Sequence, residues 1–372
     1  MPKVLLSLLL MVLLLPAHAE QTRTLTDVAG RQVQVPLNVE RIVLGEGRYL
    51  TTLAMFDRED PVRRVVGMFG ELERLDPATY AQYVERFPQI DKVPRVGRSN
   101  EDSFSIEQTI ALRPQVALFG LEGHGPSPQS QEVLERLQAA GITVVFVDFR
   151  KNPLQNTTRS IQVLGELLGR SDVADDFVAF YQAEMAKVSA AVARSKTRPM
   201  VFLESRVGLN DECCESIAHG LFADYVEAAG GRNLAQEKIP GTSGMLSMEY
   251  LLQAQPEVYI ATAIGAVGHQ GDQPGRVVLG VGADEQVARA SLKHVLGRPG
   301  FSGLTAVEQG RVHAIWHHFY NSPFNVAAVQ AIASWLHPQE MHDIDPQRTL
   351  AELYQRFQPV PLHGAYWVDL ND

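Results

Sequence analysis

The stretch from Ser171 to about Arg194 limits what this 372-residue chain can become more than any other. Phe177, Tyr181, Met185, Val188 and Val192 recur at three- and four-residue steps, which places them on one face of a helix. Ser171 is the expected N-cap. Asp172, Asp175 and Asp176 load the first turns and Lys187, Arg194 and Lys196 the end, as the helix dipole favours. No Gly or Pro interrupts the run before Pro199. At 1.5 Å per residue it spans roughly 35 Å, about the width of a small domain.

The same pattern stands on either side of this rod. Ser105 to Leu118 and Ser247 to Ile260 both read S-x-E-x-x-I/L-x-x-x-P-x-V-x-I/L. Each predicts a capped short helix, a proline-marked stop and a buried strand. A repeat across a rigid helix implies two similar lobes, with separate cores. Elsewhere, runs such as Arg41–Leu44, Ile142–Asp148, Met200–Glu204 and Arg311–Ile315 alternate with helical stretches, after an opening hairpin over residues 24–35. The fold expected is α/β: two lobes with parallel-type sheets flanked by helices, joined by one long linker helix. The bounds are an N-terminal lobe over 20–170, a linker over 171–196, a C-terminal lobe over 197–345, and a C-terminal helix and irregular tail over 346–372.

Residues 1–19 carry the compartment signal. Lys3 precedes a Leu- and Val-rich run from Val4 to Leu15, and Ala17-His18-Ala19 is a small-x-small cleavage site. An exported, soluble, periplasmic product starting at Glu20 is expected. The net charge of -10 and the lack of a long basic run argue against nucleic acid as a partner. The two cysteines, Cys213 and Cys214, are neighbours. In an oxidising compartment they could form a vicinal disulfide, pair across two chains, or bind a soft metal.

In parallel α/β sheets ligands gather at the carboxyl ends of the strands. Strand-end position nominates Arg48, Tyr49, Arg98, His124 and Arg150 from the first lobe, and Arg206, Trp316, His317, His318 and Tyr320 from the second. Arginines offer fixed donors to carboxylates or to a metal chelate, and aromatic rings offer flat apolar contact. His313, His317 and His318 lack a spacing that would put them on one face of a strand, so no direct metal site is expected. Neither a G-x-S-x-G elbow nor a G-x-G-x-x-G or P-loop motif occurs, so the expectation is a non-enzyme without a cofactor.

Several segments carry a family resemblance. Thr26 to Pro36 followed by Glu40-Arg41-Ile42-Val43 resembles T-D-x-x-G-R-x-V-x-V-P…R-I-V. The two repeats resemble E-x-I-x-x-L-x-P-D-x-V, with Gln115 and Glu257 where Asp is usual. Ala228 to Asn233 resembles A-G-G-x-N, and Ala306 to Val312 resembles A-V-x-x-G-R-V. These are segments of the substrate-binding proteins of ABC importers for ferric siderophores, haem and cobalamin, the class III periplasmic binding proteins. The resemblance implies a monomeric receptor that takes a ferric siderophore or similar metal chelate to an inner-membrane ABC permease. It also implies that Glu107 and Glu249 dock onto arginines of that permease. The Cys213-Cys214 loop and the Gly265–Gly282 insertion depart from the family's shorter members. Cobalamin, haem and a molybdate-type oxyanion are the alternative ligands. A His-based metallochaperone or metal-dependent enzyme is the alternative of another class.

Overall fold

The computed structural model describes residues 21–209, 213–268 and 275–371, so the expected export signal over residues 1–19 lies outside the described residues. The chain opens with an antiparallel hairpin, β1 (Thr22–Thr26) and β2 (Gln32–Pro36), turned at Gly30 with a positive φ of 81°. Five parallel strands follow: β3 (Ile42–Leu44), β4 (Val65–Phe69), β5 (Arg95–Gly97), β6 (Val116–Gly120) and β7 (Thr143–Val147), in the order β5-β4-β3-β6-β7. The second lobe holds β8 (Met200–Glu204), β9 (Glu215–Ile217), β10 (Arg232–Asn233), β11 (Ser243–Met245), β12 (Val258–Ala263), β13 (Val312–Trp316) and β14 (Trp367–Asp369). Its order is β11-β9-β8-β12-β13-β14, with β10 beside β8. The sheet is of the expected parallel type at β8, β12 and β13, while β9, β11 and β14 run antiparallel to their neighbours. The tail expected to be irregular supplies β14, because Trp367, Val368 and Asp369 close the free edge of β13.

The two repeats fold alike. Ser105 accepts the Gln108 N–H and Ser247 accepts the Tyr250 N–H, each capping a short helix, Ile106–Ala111 and Met248–Ala254. Both helices end on a left-handed residue just before the proline, Arg113 at φ 48° and Gln255 at φ 47°. The residue after each proline holds the start of the neighbouring strand. Gln115 Oε1 accepts from Glu40 N and Arg41 N at 2.7 and 3.1 Å, and Glu257 Oε1 accepts from Met200 N at 2.9 Å. β6 and β12 then pair with β3 and β8.

The linker helix is Ser171–Val192. Its N-cap is Arg170 and not Ser171, because the preceding helix Pro153–Leu168 closes on left-handed Gly169 and only Gly169 and Arg170 separate the two helices. Phe177, Tyr181 and Val188 are buried as the periodicity requires, joined by Ala174, Phe180 and Ala191. What they face differs from the expectation. Rather than two separate cores, one apolar cluster runs from the first lobe through the linker into the second, with a smaller cluster on the outer face of each sheet. Phe177 packs on Phe324 at 6.3 Å and on Phe357 at 5.3 Å between ring centres. Tyr181 donates to Asn325 Oδ1 at 2.9 Å, and Asn325 donates to Thr157 at 3.0 Å, tying the linker to both lobes.

The last helix, Pro346–Phe357, also joins the lobes. Arg356 pairs with Asp176 of the linker, and Arg58 of the first lobe donates to the carbonyls of Arg356 and Gln358, both at 2.9 Å. With a shared core, the lobes should unfold together. Phe177→Ala is expected to cost about 3–5 kcal/mol and to move a single calorimetric transition. Two separate transitions would show that the lobes fold independently.

Candidate functional site

A cavity of about 710 Å³ opens between the lobes at the carboxyl ends of their strands. The turn after β7 builds one wall. Buried Asp148 accepts the backbone N–H groups of Arg150, Lys151 and Asn152 at 3.0, 2.8 and 3.0 Å, an Asx-type arrangement that fixes where Arg150 leaves the chain. The Arg150 guanidinium lies 5.2 Å from the Tyr320 ring centre. The Gly120 loop brings His124, whose Nδ1 sits 3.0 Å from the Ser99 carbonyl, and Glu122, which pairs with Lys151 at 3.1 Å. Arg74 reaches Ser99 Oγ at 2.8 Å.

The second lobe supplies the facing wall. Arg206 is left-handed at φ 49°, held by its N–H on Thr262 Oγ1 at 2.7 Å, and its guanidinium pairs with Glu215 at 2.5 Å. After β13 the chain enters a 3₁₀ turn, His317–Asn321, where residues three apart eclipse. His317 and Tyr320 therefore share the cavity side, 4.7 Å between ring centres, and His317 Nδ1 lies 3.0 Å from Thr262 Oγ1. The Gly-rich insertion contributes Ala266 and Arg276. Asp224 and His219 complete the wall, with His219 Nε2 at 3.0 Å from the Ile239 carbonyl.

Of the residues nominated by strand-end position, His124, Arg150, Arg206, His317, His318 and Tyr320 meet in this cavity. Three do not. Tyr49 is turned into the core against Phe149, as the first residue of the helix Tyr49–Leu53. Arg98 is exposed outside the cavity, with its backbone N–H on Ser103 Oγ. Trp316 points to the far side, edge-on to Phe319 and Tyr366, and borders a second cavity of about 40 Å³. Arg48 lies beneath the cavity floor, buried, between Glu46 at 3.3 Å and Glu71 at 3.5 Å, with its guanidinium on the Tyr320 hydroxyl. His313 belongs elsewhere: it stacks on Trp335 and pairs with Asp369.

Lys151, which adjoins Arg150, was within reach of the strand-end argument. Arg74, Asp224 and Arg276 stand on no strand end and carry no such signal. Cys213 and Cys214 pair with each other in the loop between β8 and β9, with Cys214 buried beside the Glu204 carboxylate.

The imidazoles of His124, His317 and His318 are held toward the neutral form. Burial pushes His317 far down, with His318 and Arg206 adding to it. Burial, helped by Arg48, takes His318 to about 3. His124 is lowered by burial and by Arg48, against the pull of Glu46. The cavity charge is thus carried by Arg74, Arg150, Lys151, Arg206 and Arg276 against Glu122, Glu215 and Asp224, a positive excess.

Below the floor, burial and the Glu46 charge lift Glu71 to about 7. Burial also favours the neutral form of Glu46, but Arg48, His124 and Arg150 outweigh it and hold this carboxyl below its ordinary range. Because the folded-state value of Glu71 is raised, its contribution to stability is full below pH 4.5 and is lost as pH rises through 7. Glu71→Gln removes that loss. The melting temperature of the variant relative to the parent should climb between pH 4.5 and 7.5. A difference that stays flat over this window would refute the assignment.

Two α/β lobes, one linker helix and a cleft at the strand ends define a two-lobed binding protein. The chain belongs to the periplasmic binding protein family, whose model matches residues 73–316. It is similar over its length to the TroA-like periplasmic binding protein FepB from Veillonella parvula, with 26% identity, a TM-score of 0.81, and 94% of this chain and 99% of that one covered. The fold is shared by the molybdate periplasmic binding protein MolA of Haemophilus influenzae, with 18% identity, a TM-score of 0.68, and 92% and 99% covered. It is shared also by a periplasmic heme-binding protein from Pseudomonas aeruginosa, with 21% identity, a TM-score of 0.54, and 81% and 94% covered. No curated protein sequence matches the chain. It is a solute-binding protein of the ABC-transporter type and not an enzyme. The family is periplasmic, and among the described residues no helix is long and apolar enough to cross a membrane.

Proposed function

We propose that the chain captures an anionic metal chelate, a ferric siderophore, in this cleft and presents it to an inner-membrane ABC permease. The observation that carries the reading is the pairing of cavity size with cavity charge. About 710 Å³ suits an organic ligand of several hundred daltons and is far larger than a tetrahedral oxyanion requires. Arg74, Arg150 and Arg276 enter it without a carboxylate partner among the described residues, so they are available to the oxygen donors of a chelate. Haem fits less well, because Trp316, the largest flat apolar surface expected here, faces away. Calorimetric titration with a ferric tris-catecholate, a ferric hydroxamate, haem, cobalamin and molybdate tests the reading. Saturable binding of one ferric chelate is expected, weakened about tenfold or more by Arg150→Ala, or ~1.4 kcal/mol. Binding of molybdate alone, or of haem alone, would refute it.

The permease reading rests on the two repeat glutamates. Glu107 and Glu249 stand in the first turns of equivalent helices, one per lobe, and both are exposed. Glu107 forms a 2.6 Å ion pair with Arg136, an exposed contact that a partner's arginine can replace at little cost. Replacing both glutamates with alanine should abolish uptake by cells and leave chelate affinity in solution unchanged. A parallel loss of affinity would place them in ligand binding instead.

A further inference from the structure

One buried carboxylate outside the cavity touches both of its walls. Glu46 lies between Gly45 and Gly47 after β3 and is 1% exposed. Its Oε1 accepts the backbone N–H of His124 at 2.7 Å, which holds the Gly120 loop of the first lobe. Its Oε2 accepts from Asn321 Nδ2 of the second lobe at 2.5 Å and from Arg48 Nη2 at 3.3 Å. Arg48 in turn bonds the Tyr320 hydroxyl and lies 3.5 Å from His318 Nδ1. The loop can come this close only as glycine: a Cβ on Gly123 would meet Glu46 Oε1 at 1.9 Å. Glu71 secures the turn that carries Glu46 by accepting the N–H groups of Gly47 and Arg48 at 2.8 and 2.9 Å.

The apolar core joins the lobes on the linker side. On the cleft side, polar contacts between the lobes gather at this carboxylate and at Arg48, beside the Arg150 guanidinium that lies over the Tyr320 ring. A backbone link there, from Leu221 N–H to the Arg150 carbonyl, is long at 3.4 Å.

We propose that Glu46 is a positioning residue, a latch that ties the His124 loop of one lobe to the His317–Asn321 turn of the other and so sets the width of the cleft. It acts through residues that line the cavity and does not line it itself. The claim concerns the unliganded protein and stands whatever chelate binds.

The test is hydrogen–deuterium exchange on the unliganded full chain. In Glu46→Gln the side-chain oxygen still serves His124, while the amide nitrogen confronts the donors of Asn321 and Arg48. Peptides spanning 120–128 and 317–322 should both exchange about tenfold faster, with β6 and β13 unchanged. Asn321→Ala, made on the opposite lobe, should give the same two-sided response, and the double variant should add nothing further. The reversed pair, Glu46→Gln with Asn321→Asp, restores a donor facing an acceptor and should recover protection on both sides. Faster exchange only on the side that carries the substitution overturns the latch. So do additive effects in the double variant, or a reversed pair no better than Glu46→Gln alone. Should Glu46→Gln fail to fold, Asn321→Ala and the reversed pair carry the same test.

Discussion

The buried face of the linker helix is the constraint on which the rest of the architecture depends. A solvent-exposed rod between two beads would let the lobes turn freely. Here Phe177, Tyr181 and Val188 are embedded in residues of both lobes, and Phe357 of the last helix closes over them. An apolar seam of this kind resists hinge motion, because opening it exposes several large side chains at once. Relative movement must therefore be small and concentrated on the opposite, polar side.

That polar side carries a cost. Arg48, Glu46 and Glu71 are nearly excluded from water, and desolvated charges are stable only when each partner is well placed. Apolar residues of similar volume would hold the lobes at least as firmly. A charged cluster does something an apolar one cannot: it fixes direction, since every bond has a required donor and acceptor. Burial holds the neighbouring imidazoles of His318 and His124 toward the neutral form, and the charge of Arg48 adds to it.

Much of this was legible in the amino-acid order, and the failures have physical causes. The repeat S-x-E…P-x-V was read as cap, stop and strand, and both copies fold so, even to the left-handed residue before each proline. The periodicity of the linker showed which face is buried but not against what, because a helical stripe says nothing of its partner. β9, β10, β11 and β14 are two or three residues long, too short for alternation to register. In the cleft, His317 and His318 were judged by strand spacing, and the 3₁₀ turn that aligns His317 with Tyr320 is set by tertiary packing. Arg74 and Arg276 come from a helix and an insertion, so only the folded chain brings them to the cleft.

The cleft and the latch divide the work between charge and neutrality. The arginines give the cavity a long-range attraction for an anion, which speeds encounter and is screened by salt. The neutral imidazoles and the Tyr320 ring add no charge, so they contribute only at contact and only to a ligand of the right shape. Were His317 and His318 charged, the cavity would attract small anions indiscriminately. Burying them beside Arg48 and Arg206 prevents this, and the same burial makes the polar floor dependent on Glu46. A positively charged cleft and a floor that needs an internal counter-charge follow from the same placement of the His317–Asn321 turn.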